Sequence, residues 1–296
     1  MPTGYVFPDA SSISPYLEDP RTGPTSLFCA ELSRRLRCYV AAGYPEALGS
    51  DELRSAITVE NCEGEEVGAN SAILYGPDGT LLGNYRKTNL FETDMTWAKP
   101  GGSIIIFYDD SNSHIDIGTG FATYQLSHPI HTMALGICMD LNAQPPALWT
   151  LEDGPYEIAQ HCIDKKVNVL LLLNAWLDSG REPDDAKDWS TLNFWAARLR
   201  PLWARSEEIE EGDEDESTAD DYSDGRETIV IVSNRCGSEN GEDTIADYPC
   251  VRADGIAIGQ TFAGTSAIFS LRRGSGRPKL LHSMDRSTQT VEIWHV

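Results

Sequence analysis

The 296-residue chain has no run of about 20 consecutive apolar residues, the length that a membrane-spanning helix needs. Its first residues, Met1-Pro2-Thr3-Gly4-Tyr5, lack the basic and apolar stretches of a signal peptide. Basic residues are scarce, with 23 Lys and Arg against 46 Asp and Glu and a formal net charge of −23. Because binding of nucleic acid requires a basic face, this balance excludes it as a partner. We therefore expect a cytoplasmic protein that contacts neither membrane nor nucleic acid.

Paired cysteine motifs are also absent. The seven cysteines are odd in number, and no two form a Cys-x-x-Cys pair, which argues against a disulfide framework or a zinc ribbon. Among the histidines, only His128 and His131 are closely spaced, and they flank Pro129 in a predicted turn. We interpret them as surface imidazoles. Since no phosphate-cradling glycine loop occurs either, we expect no metal and no cofactor.

What the chain does contain is enough apolar sequence, 41% of its residues, to build a globular core. Much of the negative charge is local, because eleven acidic residues and no basic ones fall between Ser206 and Gly225. Such a segment repels itself and has almost nothing to bury. We interpret residues 206–226 as an acidic disordered insertion within a single domain over residues 1–296.

The hydrophobic pattern predicts an α/β fold with a mixed sheet covered by helices. Gly76-Pro77-Asp78-Gly79 predicts a hairpin turn between two strands. Residues 288–294 alternate, as in an edge strand or the arm of a homodimer. The predicted helices cover residues 24–36, 156–166 and 189–202, and the other predicted strands cover 37–42, 70–75, 80–86, 104–108, 120–125, 130–137, 167–173, 228–233 and 265–271.

Two strand ends carry residues suited to amide chemistry. Cys138 follows the apolar run 134–137 directly, and Lys87 ends the strand-like run before Thr88. Hydrolysis of a carboxamide needs a nucleophile and positive charge or donors where the oxyanion develops. Cys138 would form a thioester while the Lys87 ammonium and the Met139 backbone N–H hold the oxyanion. By position alone, however, such a cysteine is more often inert core, and such a lysine is more often solvated.

Eight short motifs, which occur together and in one order, favour the catalytic roles of Cys138 and Lys87. They are Thr3-Gly4-Tyr5-Val6-Phe7, Gly43-Tyr44-Pro45-Glu46, Asn84-Tyr85-Arg86-Lys87-Thr88, Thr93-Asp94-Met95-Thr96-Trp97-Ala98, Leu135-Gly136-Ile137-Cys138-Met139-Asp140-Leu141-Asn142, Asn174-Ala175-Trp176-Leu177, Asn234-Arg235-Cys236-Gly237 and Phe262-Ala263-Gly264-Thr265-Ser266. With these the chain resembles the carbon–nitrogen hydrolase (nitrilase) superfamily and, within it, the fungal protein N-terminal amidases. The resemblance implies a four-layer α-β-β-α sandwich and a Glu-Lys-Cys triad of which Lys87 and Cys138 are members.

The resemblance also implies a second carboxylate shortly after the lysine. Asp94 matches this position best, and Glu92 is the neighbouring candidate. The alternative role of Asp94 is a structural ion pair with Lys87.

The base implied by the resemblance is the glutamate of a Pro-Glu pair a few residues before Thr3-Gly4-Tyr5, where this chain has only Met1 and Pro2. Pro45-Glu46 looks similar but matches a different position of the family pattern. We therefore expect an N-terminally truncated domain that lacks its first strand, first helix and most of its second strand. Because such a loss exposes apolar strand edges, we expect the chain to fold poorly or aggregate.

The function implied by the resemblance is deamidation of N-terminal Asn or Gln in proteins or peptides, with release of ammonia. Asp140 is a possible counter-ion for the substrate's α-ammonium, or else it orients the turn through hydrogen bonds. Asn174 and Trp176 would shape the side-chain pocket, unless Trp176 is simply core. The alternatives are a small-molecule ω-amidase and, because the base is missing, a catalytically dead binding module.

Overall fold

The computed structural model describes residues 7–52, 66–102, 120–144, 146–205, 225–238, 250–251, 257–258 and 261–296. They fall into two compact units, Met1–Tyr124 and Gln125–Val296. The predicted strand over 104–108 lies outside the described residues, as does all of the acidic segment except residues 225 and 226. No helix within the described ranges is long and apolar enough to cross a membrane.

The first unit contains a three-stranded antiparallel sheet and two helices. The helices are α1 (Ala10–Ile13) and α2 (Pro24–Leu36), and the sheet has the order β1 (Val40–Ala47), β2 (Gly68–Tyr75), β3 (Leu81–Arg86). The predicted α2 is confirmed with identical bounds, because Pro24 suits a first helical turn where the N–H has no helical partner. The predicted hairpin is confirmed too, with Gly79 in its turn at a φ of 85°.

Strand β1 differs from the prediction of a short strand over 37–42. It begins three residues later and continues through Pro45 to Ala47. Proline lacks the N–H that a central strand needs, but β1 is an edge strand, and there a proline is tolerated. The Pro45 carbonyl instead accepts a hydrogen bond from the Glu18 N–H at 2.8 Å. As a result, Glu46 is held within the sheet rather than in a loop.

The second unit has a larger mixed sheet. Its order within the unit is β13-β12-β7-β6-β5. Strands β5, β6 and β7 are parallel, whereas β12 is antiparallel to both of its neighbours. The strands of this sheet within the unit are β5 (Thr132–Ile137), β6 (Val169–Asn174), β7 (Glu227–Asn234), β12 (Ala267–Arg272) and β13 (Lys279–Ser283). Two further antiparallel pairs join β8 (Cys236–Ser238) to β11 (Thr261–Ala263) and β9 (Cys250–Val251) to β10 (Ala257–Ile258). Strand β4 (Ala122–Gln125) spans the boundary between the units.

Helices α3 (Glu157–Asp164) and α4 (Trp189–Arg198) provide the crossovers between the parallel strands. Helix α4 is shorter than the predicted 189–202, and a 3₁₀ turn at Arg200–Leu202 follows it, since Pro201 cannot continue an α-helix. The predicted α/β class is thus confirmed. Parallel pairing of β5 with β6 brings the carboxyl ends of both strands, at Ile137 and Asn174, to one edge of the sheet.

The C-terminal segment contradicts one prediction. Residues 288–294 form no strand, and Val291 and Ile293 are 90% and 83% exposed. Trp294 stacks on His282, with ring centroids 5.6 Å apart. The edge-strand alternative is therefore wrong, because no strand among the described residues pairs with this segment.

Candidate active site

Lys87 comes directly after β3 and is almost fully buried, with 3% of its surface exposed. Its Nζ donates to Asp94 Oδ2 at 2.5 Å, and its backbone N–H donates to the Asn70 carbonyl at 2.8 Å. The ion pair predicted as the alternative role of Asp94 is therefore observed, while Glu92 is exposed. Asp94 is fixed in turn, because Asn70 Nδ2 and the Phe91 N–H donate to its two oxygens.

The residue before the lysine belongs to a second buried ion pair. Arg86 Nη2 and Nε donate to Glu46 Oε1 at 2.6 and 3.1 Å. The other oxygen of Glu46 accepts from Ser71 Oγ at 2.6 Å and from Asn84 Nδ2 at 2.8 Å. Both oxygens of this buried carboxylate are thus engaged, which agrees with the interpretation that Glu46 is not the catalytic base.

Glu52 extends this pair toward solvent. Arg86 Nη1 donates to Glu52 Oε1 at 2.7 Å, and Lys99 Nζ lies 3.4 Å from the same oxygen. The side-chain hydrogen bond from Arg86 lowers the pKa of Glu52 to about 2. Burial lowers the pKa of Arg86, but its hydrogen bonds to Glu52 and Glu46 outweigh burial and raise that pKa. Buried ion pairs with carboxylates therefore hold two successive residues at the end of β3, Arg86 and Lys87.

Cys138 lies at the corresponding point of the second unit, immediately after β5. It is half-buried and has a left-handed backbone with a φ of 46°. Such a φ is uncommon for a residue with a Cβ and is found at functional sites. Cys138 begins a 3₁₀ turn that ends at Leu141, in which the Ile137 N–H donates to Asp140 Oδ2 at 2.7 Å.

Two asparagines at neighbouring strand ends hold this edge of the sheet. Asn174 Oδ1, at the end of β6, accepts the Cys138 N–H at 3.0 Å. Asn234, at the end of β7, repeats the arrangement one strand further on, because its Oδ1 accepts the Trp176 N–H at 2.8 Å. Asn234 Nδ2 donates to the Gly264 carbonyl, also at 2.8 Å. Each strand end is thus fixed by a side chain from the next strand.

Arg198, which sequence reasoning missed, anchors the turn after the cysteine. It is 1% exposed, and it donates from Nε to the Leu141 carbonyl at 2.6 Å and from Nη1 to the Pro155 carbonyl at 2.9 Å. Burial lowers the pKa of Arg198, and Glu157 opposes this effect. No local pattern identifies such a residue, since it lies 57 positions after Leu141 in the chain.

The sequence-predicted residues thus divide between the units. Lys87 and Asp94 pair in the first, and the turn Cys138–Leu141, with Met139 half-buried and Asp140 buried, lies beside Asn174 in the second. Trp176 is half-buried, with its ring centroid 5.5 Å from that of Phe194 and 6.3 Å from that of Trp195.

Within the ranges that the structure covers, no group of three or more His, Cys, Asp or Glu could hold a metal ion. His128 and His131 contact each other edge to face, with ring centroids 5.4 Å apart. Cys138 forms no disulfide with another described cysteine, and neither do Cys29, Cys38, Cys162 and Cys236.

The chain is similar to known proteins both in sequence and in structure. Residues 3–144 match the family model described as carbon-nitrogen hydrolase. A protein N-terminal amidase from Schizosaccharomyces pombe is 26% identical over 97% of this chain and 80% of its own length. A protein N-terminal amidase from Saccharomyces cerevisiae is 30% identical over 60% of this chain and 35% of its own length. A crystal structure of an N-terminal amidase superposes with a TM-score of 0.64 at 18% identity, covering 96% of this chain and 84% of that one.

Residues 3–144, which match the carbon-nitrogen hydrolase family model, therefore contain both the lysine and the cysteine strand ends. Within the family, the two relatives described above are both protein N-terminal amidases. The structural match, at this low identity, identifies the fold.

Proposed function

We propose that this chain is an amidase that converts N-terminal Asn or Gln of proteins and peptides to Asp or Glu. The observation that carries the proposal is the half-buried Cys138 thiol, held in a left-handed turn at the end of a parallel strand within the segment that matches the carbon-nitrogen hydrolase family model. The name of the S. pombe relative, whose match covers 97% of this chain, supports the substrate class. So do crystal structures of N-terminal amidase, similar in fold, that hold Asn-Glu-Ala and Gln-Val peptides.

In the proposed reaction, the Cys138 sulfur attacks the carbon of the substrate's side-chain carboxamide. The Lys87 ammonium and the Met139 backbone N–H hold the resulting oxyanion. The C–N bond then breaks, ammonia leaves with the proton released by the thiol, and a thioester remains. Water hydrolyses this thioester to the acid and restores the thiol. Asp94 acts by fixing the lysine, because it provides the counter-charge of the buried ammonium.

Asp140, Asn174 and Trp176 are the proposed substrate-binding residues. The hydrogen bond from Ile137 to Asp140, together with its burial at 1% exposure, supports the turn-orienting role for this carboxylate. Its role as counter-ion of the α-ammonium stays a prediction. Trp176 contacts an aromatic cluster on one side, as a core residue does, and its partial exposure leaves surface for a substrate side chain.

The proposed compartment is the cytoplasm. Five described cysteines are in no disulfide, which suits a reducing environment. A homodimer also stays a prediction. Its expected arm, residues 288–294, is not a strand but exposes apolar side chains.

The proposal is tested by incubating the purified protein with peptides that begin with Asn or Gln. We expect ammonia release and conversion of the first residue to Asp or Glu, measured by mass spectrometry. Cys138→Ala should lower kcat at least ~10³-fold, because it removes the nucleophile. The matched control is Cys38→Ala, which removes another half-buried thiol and should keep full activity.

The same assay separates the alternatives. Ammonia from free glutamine but not from peptides would favour a small-molecule ω-amidase, and the N-acetylated peptides would show whether the α-ammonium is needed. Retained activity in Cys138→Ala would contradict the thioester mechanism. Peptide binding without turnover would favour the binding module.

A further inference from the structure

Asn174 has one polar atom whose role the proposed mechanism does not explain. The residue is 8% exposed, and its Oδ1 lies 3.0 Å from the Cys138 backbone nitrogen. This contact fixes the orientation of the amide, because a backbone N–H can only donate and must therefore face the oxygen. The amide nitrogen, Nδ2, consequently points away from the Cys138 N–H.

Nδ2 of Asn174 is buried and has no hydrogen-bond partner among the residues that the structure describes. The equivalent atom of Asn234, one strand further on, donates to the Gly264 carbonyl at 2.8 Å. A buried donor left unsatisfied costs about 1–3 kcal/mol, and such groups are rare in native proteins. The contrast between the two asparagines indicates that a ligand supplies the acceptor for Asn174.

We propose that Asn174 Nδ2 donates a hydrogen bond to the carbonyl oxygen of the carboxamide that Cys138 attacks. An amide NH₂ group is only a donor, so it does not bind the substrate's α-ammonium, which has no lone pair to accept a hydrogen bond. The same amide group holds the Cys138 backbone, which places the donor beside the nucleophile. This inference rests on the proposed function and adds a neutral oxyanion donor from β6 to Lys87 and Met139.

The first test is the kinetics of Asn174→Asp. Aspartate keeps an oxygen for the Cys138 N–H and replaces the donor by a second oxygen. Removal of one oxyanion donor costs about 10²–10³-fold in kcat, and we expect a loss in that range. The matched control is Asn168→Asp, because Asn168 Oδ1 accepts the Thr132 N–H at 3.2 Å across the same two strands at their opposite end. The control should keep kcat, and equal losses in both variants would overturn the inference.

A second test does not need amidase activity. Acrylamide adds to the thiol: an S–C bond forms at the terminal alkene carbon, the π electrons move onto the carbonyl oxygen, and the thiol proton ends on the α-carbon. Methyl methanethiosulfonate forms a disulfide and releases a sulfinate, with no carbonyl oxygen involved. The rates at Cys138 are measured by peptide mapping with mass spectrometry, since the chain has seven cysteines.

We expect Asn174→Asp to slow acrylamide addition at least ~10-fold relative to the methanethiosulfonate reaction, because the donor stabilises the charge on oxygen. An unchanged ratio would overturn the inference even if the chain is an amidase. A changed ratio in a chain that releases no ammonia would support the donor and reject the proposed function.

Discussion

The two strand ends that carry the candidate chemistry are fixed by different forces. At the end of β3, Lys87 and Arg86 are held by the carboxylates of Asp94 and Glu46 in buried ion pairs. At the end of β5, Cys138 is held by the neutral amide of Asn174. A buried ammonium needs a counter-charge, whereas a thiol does not. The comparison shows that the first unit fixes the lysine by an ion pair between side chains, whereas the second fixes the Cys138 backbone N–H by a neutral amide.

The largest expected effect is on the charged end. Asp94→Asn leaves the buried Lys87 ammonium without its counter-charge, and we expect the free energy of unfolding to fall by about 3–5 kcal/mol. Chemical denaturation measures this loss. The matched control is Glu92→Gln, which neutralises the exposed carboxylate two residues away and should change stability by less than about 0.5 kcal/mol. Equal changes in the two variants would show that charge does not fix this strand end.

A smaller effect is expected at the cysteine end. Arg198→Met removes the donors of the Leu141 and Pro155 carbonyls, and we expect a loss of about 2 kcal/mol in the free energy of unfolding. The rate of Cys138 alkylation should change as well, because the turn loses its anchor. Arg200→Met is the control, since Arg200 donates to the exposed Leu151 carbonyl. An unchanged alkylation rate in Arg198→Met would show that this arginine does not affect the reactivity of the Cys138 thiol.

The smallest expected effect is a pH dependence of the stability contributed by the ion pairs at the end of β3. The pKa of Glu52 is lowered from 4.5 to about 2, so its contribution to stability is complete above pH 4.5 and is lost as the pH falls through about 2. Glu52→Gln should therefore lower the melting temperature at pH 7, and its difference from wild type should shrink below pH 4.5. Glu31→Gln, in the exposed pair with Arg34, should give little difference at either pH. A difference that is constant with pH would contradict this assignment.

Local patterns predicted the elements whose ends are set locally. Helix α2 has its predicted bounds because Pro24 suits its first turn, and the β2–β3 hairpin follows from its Gly-Pro-Asp-Gly turn. The position of Cys138 at a strand end could be read in the same way, from the abrupt end of an apolar run.

Long-range pairs could not be predicted from local pattern. Arg86 and Glu46 are 40 positions apart, and nothing near either residue in the sequence indicates the other. The bond from Cys138 to Asn174 spans 36 positions and depends on the parallel register that pairs Ile137 with Leu173. Strand β1 was predicted too short because a proline is read as a break, and only its place at the edge of the sheet removes that objection.

The φ of 46° at Cys138 places stability and reactivity in opposition at a single residue. A residue with a Cβ in this conformation costs roughly 1–2 kcal/mol, and glycine would adopt it without that cost. Selection for folding alone would thus favour glycine at the very position where the proposed thioester chemistry needs sulfur. The strand end keeps a destabilising side chain, and the surrounding hydrogen bonds offset the cost.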